Sequence, residues 1–259
     1  MTLIVTHPHI DLDAASCVGL YLLSGEVELQ DVRFLSGAVT VRPPGLEDAV
    51  FVDHPLGTKG ELSALAELPH AVEVLGEDYV AEVDQHDGEG AGDPRFPLAR
   101  IFAALRVALR ARGFTGPHLD RQLLEYWTLL LEGIASQEQN RREATQYLDT
   151  VGVPIVQTGP YRWAVPSGAL ISGAGNVLAE RGVTGYVYEA PYGLGVYRYQ
   201  QQAEPDLNDL RDLLPGWFIH KRGFMACWGS RKAPRAEHPP LHTPQAAWEL
   251  VEVLRRAYT

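Results

Sequence analysis

The sequence has little of several features that would assign it to a protein class at once. Only two of its 259 residues, Cys17 and Cys227, are cysteines. That number gives no support to a disulfide framework or a cysteine-built zinc site, and it fits a reducing cytoplasm. No apolar run approaches the roughly 20 residues that span a bilayer, and the amino terminus lacks the pattern of a signal peptide. We therefore expect a cytoplasmic protein with no membrane segment.

A surplus of basic residues is also missing. The formal net charge is −11, which opposes long-range attraction to nucleic acids and anionic membranes. No Gly-x-Gly-x-x-Gly follows the first predicted strand, and neither a Walker loop nor a serine-hydrolase elbow is present. These absences disfavour dinucleotide-binding, P-loop and serine-hydrolase functions. Hydrophobic residues make up 46% of the chain, which is enough for a folded core.

Strand-like and helix-like segments alternate in the first half of the chain. The predicted strands cover residues 3–6, 31–35, 49–52 and 80–83. The predicted helices cover residues 13–23, 59–68, 97–112 and 118–137. Alternating strands and helices are typical of an α/β fold, and they predict a mostly parallel, doubly wound sheet in an N-terminal domain.

The composition changes between residues 150 and 160, where glycines and prolines predict a linker. Short strands, a small-residue helix and a closing helix with Thr243 as its cap follow. We therefore predict two domains, residues 1–150 and residues 151–259. The second is expected to be a smaller α/β domain.

The residues after the first predicted strand are the most informative in the sequence. His7, Asp11 and Asp13 form a His-x3-Asp-x-Asp pattern between that strand and a helix. This position is the carboxyl edge of a sheet, where open α/β folds bind their ligands. An imidazole with carboxylates suits Mn²⁺, Mg²⁺ or Fe²⁺ better than a thiolate-loving ion. The alternative interpretation is a polar loop in which Asp11 or Asp13 caps the helix.

Two other predicted strands also end in candidate ligands. Asp53 follows the third predicted strand, and Asp84-Gln85-His86 follows the fourth. The carboxyl ends of parallel strands meet at one edge of a sheet, so these residues are expected to lie near the first motif. Three such endings predict a metal site.

This succession of motifs resembles the DHH phosphoesterase superfamily, which includes RecJ-like exonucleases, nanoRNases and manganese pyrophosphatases. The first motif of the superfamily, His-x3-Asp-x-Asp, is matched by His7, Asp11 and Asp13. Its second motif, a lone Asp after a strand, is matched by Asp53. The resemblance covers residues 1–150, and the second half of the chain only loosely resembles the small substrate domain of the superfamily.

The third and fourth motifs depart from the superfamily pattern. Its Asp-His-His is similar to Asp84-Gln85-His86, and the Asp of its fourth motif, Gly-Ile-x-x-Asp, is replaced by Gln137. In the superfamily, the positions held here by Gln85 and Gln137 serve the same one of two metal ions. An amide brings no charge and is a weaker donor. The resemblance therefore implies one impaired metal site and one intact site, whose ligands are His7, Asp11 and Asp53.

Other side chains could restore the impaired site. His86 could replace the missing imidazole, and the acidic residues that could supply charge are Asp84, Asp87 and Glu138. Two further imidazoles, His9 and His54, lie beside the intact ligands in the sequence. Each could bind the metal, act as an acid or only hydrogen-bond, and the last interpretation is the favoured one.

The second domain contains a basic segment with two glycines. Its candidate substrate-binding residues are His220, Lys221, Arg222, Arg231 and Lys232. Such a segment could bind phosphate by charge and exposed amides, although it lacks the Gly-Gly-Gly-His signature of the superfamily. The alternative is a solvated hairpin turn. Nearby aromatic side chains could stack on a base, but aromatic residues at strand positions more often belong to a core.

Together with the predicted metal site, the resemblance implies a metal-dependent phosphoesterase in which a metal-activated water attacks phosphorus. The predicted catalytic residues are Asp13, Asp53 and His86; Asp13 and His86 are also predicted metal ligands. Mn²⁺ is the favoured ion and Mg²⁺ the second choice. The expected substrate is a small phosphorylated or nucleotide-like molecule, with a short oligonucleotide as a further candidate. The alternative, motivated by Gln85 and Gln137, is a catalytically weak or inactive module that binds a phosphorylated ligand.

Overall fold

A computed structural model describes residues 2–54, 56, 63–89, 97–190, 193–228, 244 and 246–259. The chain divides into two compact units, Met1–Gln139 and Asn140–Thr259. The division falls inside a long helix, before the boundary predicted at residue 151. Each unit is described by itself below.

A three-stranded parallel sheet lies at the centre of the first unit. Its strands are β1 (Ile4–Thr6), β2 (Val32–Phe34) and β3 (Val50–Phe51), in the order β2-β1-β3. The predicted parallel α/β character is confirmed for this sheet. Ile4 and Val5 point to opposite faces of the central strand, and both are fully buried. Burial on both faces is typical of a parallel strand and explains the unbroken apolar run of β1.

Among the described residues, five helices begin in the first unit: α1 (Leu12–Leu23), α2 (Ala71–Leu75), α3 (Glu77–Glu89), α4 (Pro97–Ala111) and α5 (Gly116–Thr150). The last of them, α5, continues into the second unit. Their apolar stripes form one core, in which Phe102 of α4 meets Trp127 of α5 edge to face at 5.0 Å between ring centroids. Among the described residues, no helix combines the length and the apolar character needed to cross a membrane.

The strand predicted over residues 80–83 is wrong, because this segment lies inside helix α3. A short apolar run fits either a buried strand or one face of a helix. Tyr79, Val80 and Val83 are buried on one helical face, and the acidic first turn, Glu77 and Asp78, favours a helix start. The helix predicted over residues 59–68 is also not seen where it is described, since residues 63–68 form turns. Residues 59–62 of that prediction lie outside the described residues.

A six-stranded mixed sheet forms the second unit, in the order β4-β5-β6-β7-β9-β8. Its elements are β4 (Ile155–Thr158), β5 (Tyr161–Ala164), α6 (Ala174–Glu180), β6 (Gly185–Ala190), β7 (Gly193–Arg198), β8 (Phe218–Ile219), β9 (Met225–Trp228) and α7 (Ala247–Tyr258). All neighbouring pairs are antiparallel except β5 with β6. The cap predicted at Thr243 lies outside the described residues, and α7 begins at Ala247.

The predicted linker at residues 150–160 is wrong as a linker, because it contains β4, which pairs antiparallel with β5. Gly159 and Pro160 form the turn of this hairpin, as glycine and proline commonly do. They therefore connect two strands of one sheet and do not link two domains. Of the four aromatic residues that the sequence offered for stacking on a base, Trp163, Trp217 and Trp228 are buried in the core of the second unit, and the half-buried Tyr161 packs against it. Their core interpretation is confirmed.

Candidate metal centre

Three of the predicted ligands converge at the carboxyl edge of the parallel sheet. His7 follows β1 and Asp53 lies two residues after β3, and these strands are parallel neighbours with Val5 opposite Phe51. Asp11 lies immediately before α1. One potential ligand atom from each of the three side chains lies within 4.8 Å of the others. Within the described part of the chain, no other group of three His, Cys, Asp or Glu side chains meets this criterion.

The imidazole of His7 is oriented by its backbone neighbour. Its Nδ1 lies 3.0 Å from the carbonyl oxygen of Pro8. A carbonyl oxygen only accepts, so Nδ1 donates its hydrogen there and Nε2 turns toward the carboxylates. Nε2 lies 2.9 Å from Asp53 Oδ2 and 3.7 Å from Asp11 Oδ2. Because Nδ1 keeps its hydrogen, loss of the second ring proton from Nε2 leaves Nε2 with the lone pair that a metal ligand needs.

The carboxylates make His7 a strong base. The hydrogen bond with Asp53 is the main cause that raises the pKa of His7 from 6.5 to about 9, and burial only partly opposes it. At neutral pH, a proton on Nε2 therefore offsets the negative charge of this group. The side chains of His7, Asp11 and Asp53 are 22%, 49% and 11% exposed, so solvent reaches the group on the Asp11 side.

Asp11 uses one carboxylate oxygen to cap helix α1 and turns the other toward His7. Its Oδ1 accepts a hydrogen bond of 2.9 Å from the backbone N–H of Ala14, which makes Asp11 the N-cap of α1. Its Oδ2 faces His7. The cap interpretation is confirmed for this residue, and the capping bond holds the second oxygen in place for a ligand.

The backbone beside the group is strained at two residues. His9 has a φ of 61° and Asp53 a φ of 43°, in a backbone region that residues other than glycine rarely adopt. Each such residue costs on the order of 1–3 kcal/mol, and strain of this kind clusters at functional sites. A hydrogen bond of 3.0 Å from the N–H of His9 to the buried carboxylate of Asp120 holds the His7–Asp11 loop in this conformation.

Asp13 is not part of the converging group. Its carboxylate is only 3% exposed and accepts the backbone N–H groups of Ala64 and Leu65 at 2.8 and 2.9 Å. Burial raises its pKa from 3.8 to about 7 despite these hydrogen bonds. Asp84 Oδ1 accepts a hydrogen bond of 2.7 Å from the backbone N–H of Ser63, the residue before Ala64. The carboxylates of Asp13 and Asp84 thus bind three consecutive backbone N–H groups. No local sequence pattern predicts these contacts.

The residues of the third and fourth motifs lie on helices α3 and α5, and neither Asp84 nor His86 belongs to the converging group. Gln85 and Gln137 are exposed, and Gln85 Nε2 donates to Glu89 at 2.8 Å. His86 is half-buried on α3. Their positions follow from α3 being a helix, which keeps Asp84, Gln85 and His86 away from a strand end. The predicted roles of Asp13 and His86 as ligands stay predictions, as do those of Asp87 and Glu138.

The extra imidazole of His54 is fully buried and engaged at both nitrogens. Its Nδ1 accepts from the N–H of Leu56 and its Nε2 donates to the carbonyl of Ser36, each at 3.2 Å. These contacts support its interpretation as a hydrogen-bonding residue. In contrast to the buried His54, His9 is an exposed residue.

The described part of the basic segment, residues 220–223, lies in the turn between β8 and β9. Lys221 and Arg222 are exposed, and the N–H of Arg222 donates to His220 Nδ1 at 3.1 Å. Gly223 has a φ of 61°, and an added Cβ would lie 1.6 Å from Asp206 Oδ1, so the turn requires glycine. This geometry agrees with the solvated-turn interpretation, and phosphate binding here stays a prediction. Arg231 and Lys232 lie outside the described residues.

Comparisons with known proteins assign no relative to this site. No protein-family model matches the chain, and neither a curated protein nor a solved structure matches it. The resemblance to the DHH phosphoesterases therefore depends on the motif residues alone.

Proposed function

We propose that the first unit binds one divalent cation through His7, Asp11 and Asp53 and hydrolyses a small phosphorylated or nucleotide-like substrate. The observation that carries this proposal is the convergence of one imidazole nitrogen and carboxylate oxygens within 4.8 Å at the ends of parallel strands. Hard oxygen donors with one imidazole fit Mn²⁺ best and Mg²⁺ second. The chemistry of the donor set thus agrees with the ion that the resemblance implies.

The chain itself prepares these ligands. The carbonyl of Pro8 selects the tautomer of His7, the amide of Ala14 anchors Asp11, and the backbone at Asp53 is held in a strained conformation. Partners that orient ligands contribute to the affinity for the ion, since their loss typically weakens metal binding about 10–100-fold. A bound divalent ion would lower the pKa of a coordinated water and polarise a phosphoryl oxygen.

The proposal includes the finer expectations from the sequence. These are a doubly wound sheet in the N-terminal domain, phosphate binding by the exposed Lys221 and Arg222, and a cytoplasmic location. Catalytic roles for Asp13, Asp53 and His86 also belong to it, with Asp53 supported by its place in the converging group.

The test is Mn²⁺ binding by calorimetry together with hydrolysis of bis-p-nitrophenyl phosphate and a nucleoside bisphosphate. We expect the wild type to bind one ion and to hydrolyse at least one substrate only with the ion present. D53N should lose both properties. The matched control is D48N, because Asp48 is exposed and lies just before the same strand. A protein that binds no ion, or a D53N variant that binds it as the wild type does, contradicts the proposal.

The second candidate function is a module that binds a phosphorylated ligand without turnover. Two observations favour it: among the described residues only one group of potential ligands converges, and Gln85 and Gln137, which replace ligands of the superfamily, are exposed. The double variant Q85H/Q137D separates the two functions. Gain of a second ion and of phosphodiesterase activity absent from the parent supports the module, whereas loss of a native activity supports the enzyme.

A further inference from the structure

A cleft in the first unit has mostly apolar walls. It lies between the C-terminal end of α1 and residues 68–74, and its volume is about 230 Å³. The apolar and aromatic side chains that line it are Leu20, Tyr21, Leu23, Leu68, Pro69 and Val74. An apolar cavity of about 150 Å³ holds one benzene molecule. The cleft therefore has room for an aromatic ring with a short side chain.

One end of this cleft carries negative charge. The last residues of α1 line it, and the C-cap of the helix, Ser24, is among them. The C-terminal end of a helix has a partial negative charge that favours a cation. The last turn of α1 nevertheless contains no basic side chain. Glu26, an exposed residue of the lining, adds a full negative charge at the same end.

The hydroxyl of Ser24 connects Glu26 to the end of the helix. Its Oγ donates a hydrogen bond of 2.8 Å to the carbonyl oxygen of Tyr21 and accepts one of 3.3 Å from the backbone N–H of Glu26. Burial raises the pKa of the Tyr21 hydroxyl, and the negative charge of Glu26 contributes to this rise. The charge of Glu26 therefore acts on the wall of the cleft.

The cleft has little positive charge to oppose Glu26. Among the described residues that line it, only His70 could become a cation. The Nδ1 atom of His70 lies 3.4 Å from Glu73 Oε2, and both side chains are exposed. Because this carboxylate balances any proton on His70, the cleft keeps an excess of negative charge.

We propose that this cleft binds a small organic ammonium ion, with the apolar body of the ion against the leucines and its nitrogen at Glu26 and the end of α1. Burial of the apolar body supplies most of the affinity, and the negative end of the cleft selects the charge. The site is separate from the candidate metal centre, because Asp11 caps the opposite end of α1. The 12 residues of this helix span about 18 Å.

The competing explanation is an imperfectly packed groove that accepts any apolar molecule. Three probes with the same phenyl ring separate the two explanations. They are 2-phenylethylammonium, 2-phenylethanol and 3-phenylpropionate, which are a cation, a neutral molecule and an anion. A groove without charge selection binds the cation and the alcohol equally, whereas the proposed site prefers the cation and binds the anion most weakly.

The experiment titrates each probe into the ¹⁵N-labelled full chain and follows the amide signals of residues 20–26 and 68–74 by NMR. We expect the Kd of the cation to be about 3–10-fold below that of the alcohol. E26Q should reduce this ratio at least about twofold, because only the helix end then favours the cation. The matched control is E132Q, since Glu132 is exposed and does not line the cleft. Val74→Trp fills the cleft and should abolish binding of all three probes.

The outcomes leave the inference open to contradiction. Equal Kd values for the cation and the alcohol in the wild type overturn it, as does the absence of signal changes at the cleft residues. A folded E26Q with the wild-type preference for the cation also overturns it. Thermal melting confirms that each variant is folded, and if Val74→Trp does not fold, the exposed substitution E26Q decides the question.

A titration of Mn²⁺ keeps this inference distinct from the proposed function. The Kd for Mn²⁺ should be the same in E26Q and the wild type, because Glu26 lies beyond the far end of α1 from Asp11. A wild type that binds 2-phenylethylammonium but no Mn²⁺ overturns the proposed function and leaves the inference standing. A wild type that binds Mn²⁺ but none of the three probes overturns the inference alone.

Discussion

Two regions of the first unit carry similar sets of acidic residues and imidazoles, yet among the described residues only one of them brings its potential ligand atoms within 4.8 Å of one another. His7 and Asp53 follow neighbouring parallel strands, so the sheet brings side chains 46 residues apart within 2.9 Å. Asp84, Gln85 and His86 are consecutive residues of a helix, where successive side chains point about 100° apart. The comparison teaches that the ends of parallel strands concentrate ligands, whereas adjacent positions on a helix spread them.

The same comparison separates two uses of a carboxylate. Asp11 and Asp53 turn an oxygen toward His7, whereas Asp13 directs both oxygens to backbone amides of residues 64 and 65. The first use leaves a charged group that a cation can neutralise. The second satisfies buried donors and stabilises a turn. The predictions below test this division.

The largest expected effect is on Mn²⁺ affinity. His7→Ala removes the only nitrogen donor of the group, so we expect the Kd for Mn²⁺ to rise at least about 100-fold, beyond the range seen for partners that merely orient ligands. His86→Ala, which alters an imidazole outside the group, should change the Kd by less than about 3-fold. Isothermal calorimetry measures both values. An equal loss in the two variants would place His86 in the metal site and remove the contrast between strand ends and helix.

The next effect is on stability. Asp13→Ala leaves the amides of Ala64 and Leu65 without their acceptor, so we expect the free energy of unfolding to fall by about 2–4 kcal/mol. Asp11→Ala removes one helix cap and should cost about 1 kcal/mol. Urea unfolding of the metal-free variants measures the difference. Equal losses would show that Asp13 has no special anchoring role.

The stability of the metal-free protein should fall as the pH rises from about 6 to 9. The pKa of His7 is raised in the folded state to about 9, so its contribution is complete below 6.5 and is lost as the pH passes through 9. We expect a loss of roughly 1–3 kcal/mol. Asp13, with a raised pKa of about 7, changes stability in the same direction between pH 4 and 7. Urea unfolding at several pH values measures this slope.

A His7→Gln control should flatten the part of the slope between pH 6.5 and 9. Saturating Mn²⁺ should also reduce it, because the ion takes the place of the proton on Nε2. A slope that persists unchanged in His7→Gln would assign the pH dependence to other groups.

The smallest effect concerns the strained loop. His9→Gly removes the penalty of a positive φ, so we expect the free energy of unfolding to stay the same or rise by up to about 1 kcal/mol. Metal affinity should fall slightly because the loop is less ordered before binding. Melting temperature and Mn²⁺ calorimetry check the two parts. A clear loss of stability would mean that the His9 side chain, rather than its backbone, supports the loop.

Local sequence patterns were sufficient for the elements next to the site. The apolar run of β1, the polar His7–Asp11 loop and helix α1 follow one another as predicted, because the capping residue Asp11 marks where the loop ends and helix α1 begins. The motif residues His7, Asp11 and Asp53 were also identified from the sequence. Residues 80–83 were not predicted correctly, since four residues cannot distinguish a strand from the buried face of a helix.

The sequence by itself determined which side chains were available to hold a cation and which segments would form the first strand and helix. Only the tertiary structure decided that Asp53 faces His7 and that Asp13 anchors a backbone turn, because those contacts join residues about 50 positions apart. Long-range contacts of this kind leave no periodic signal in the chain, since they depend on how whole elements pack.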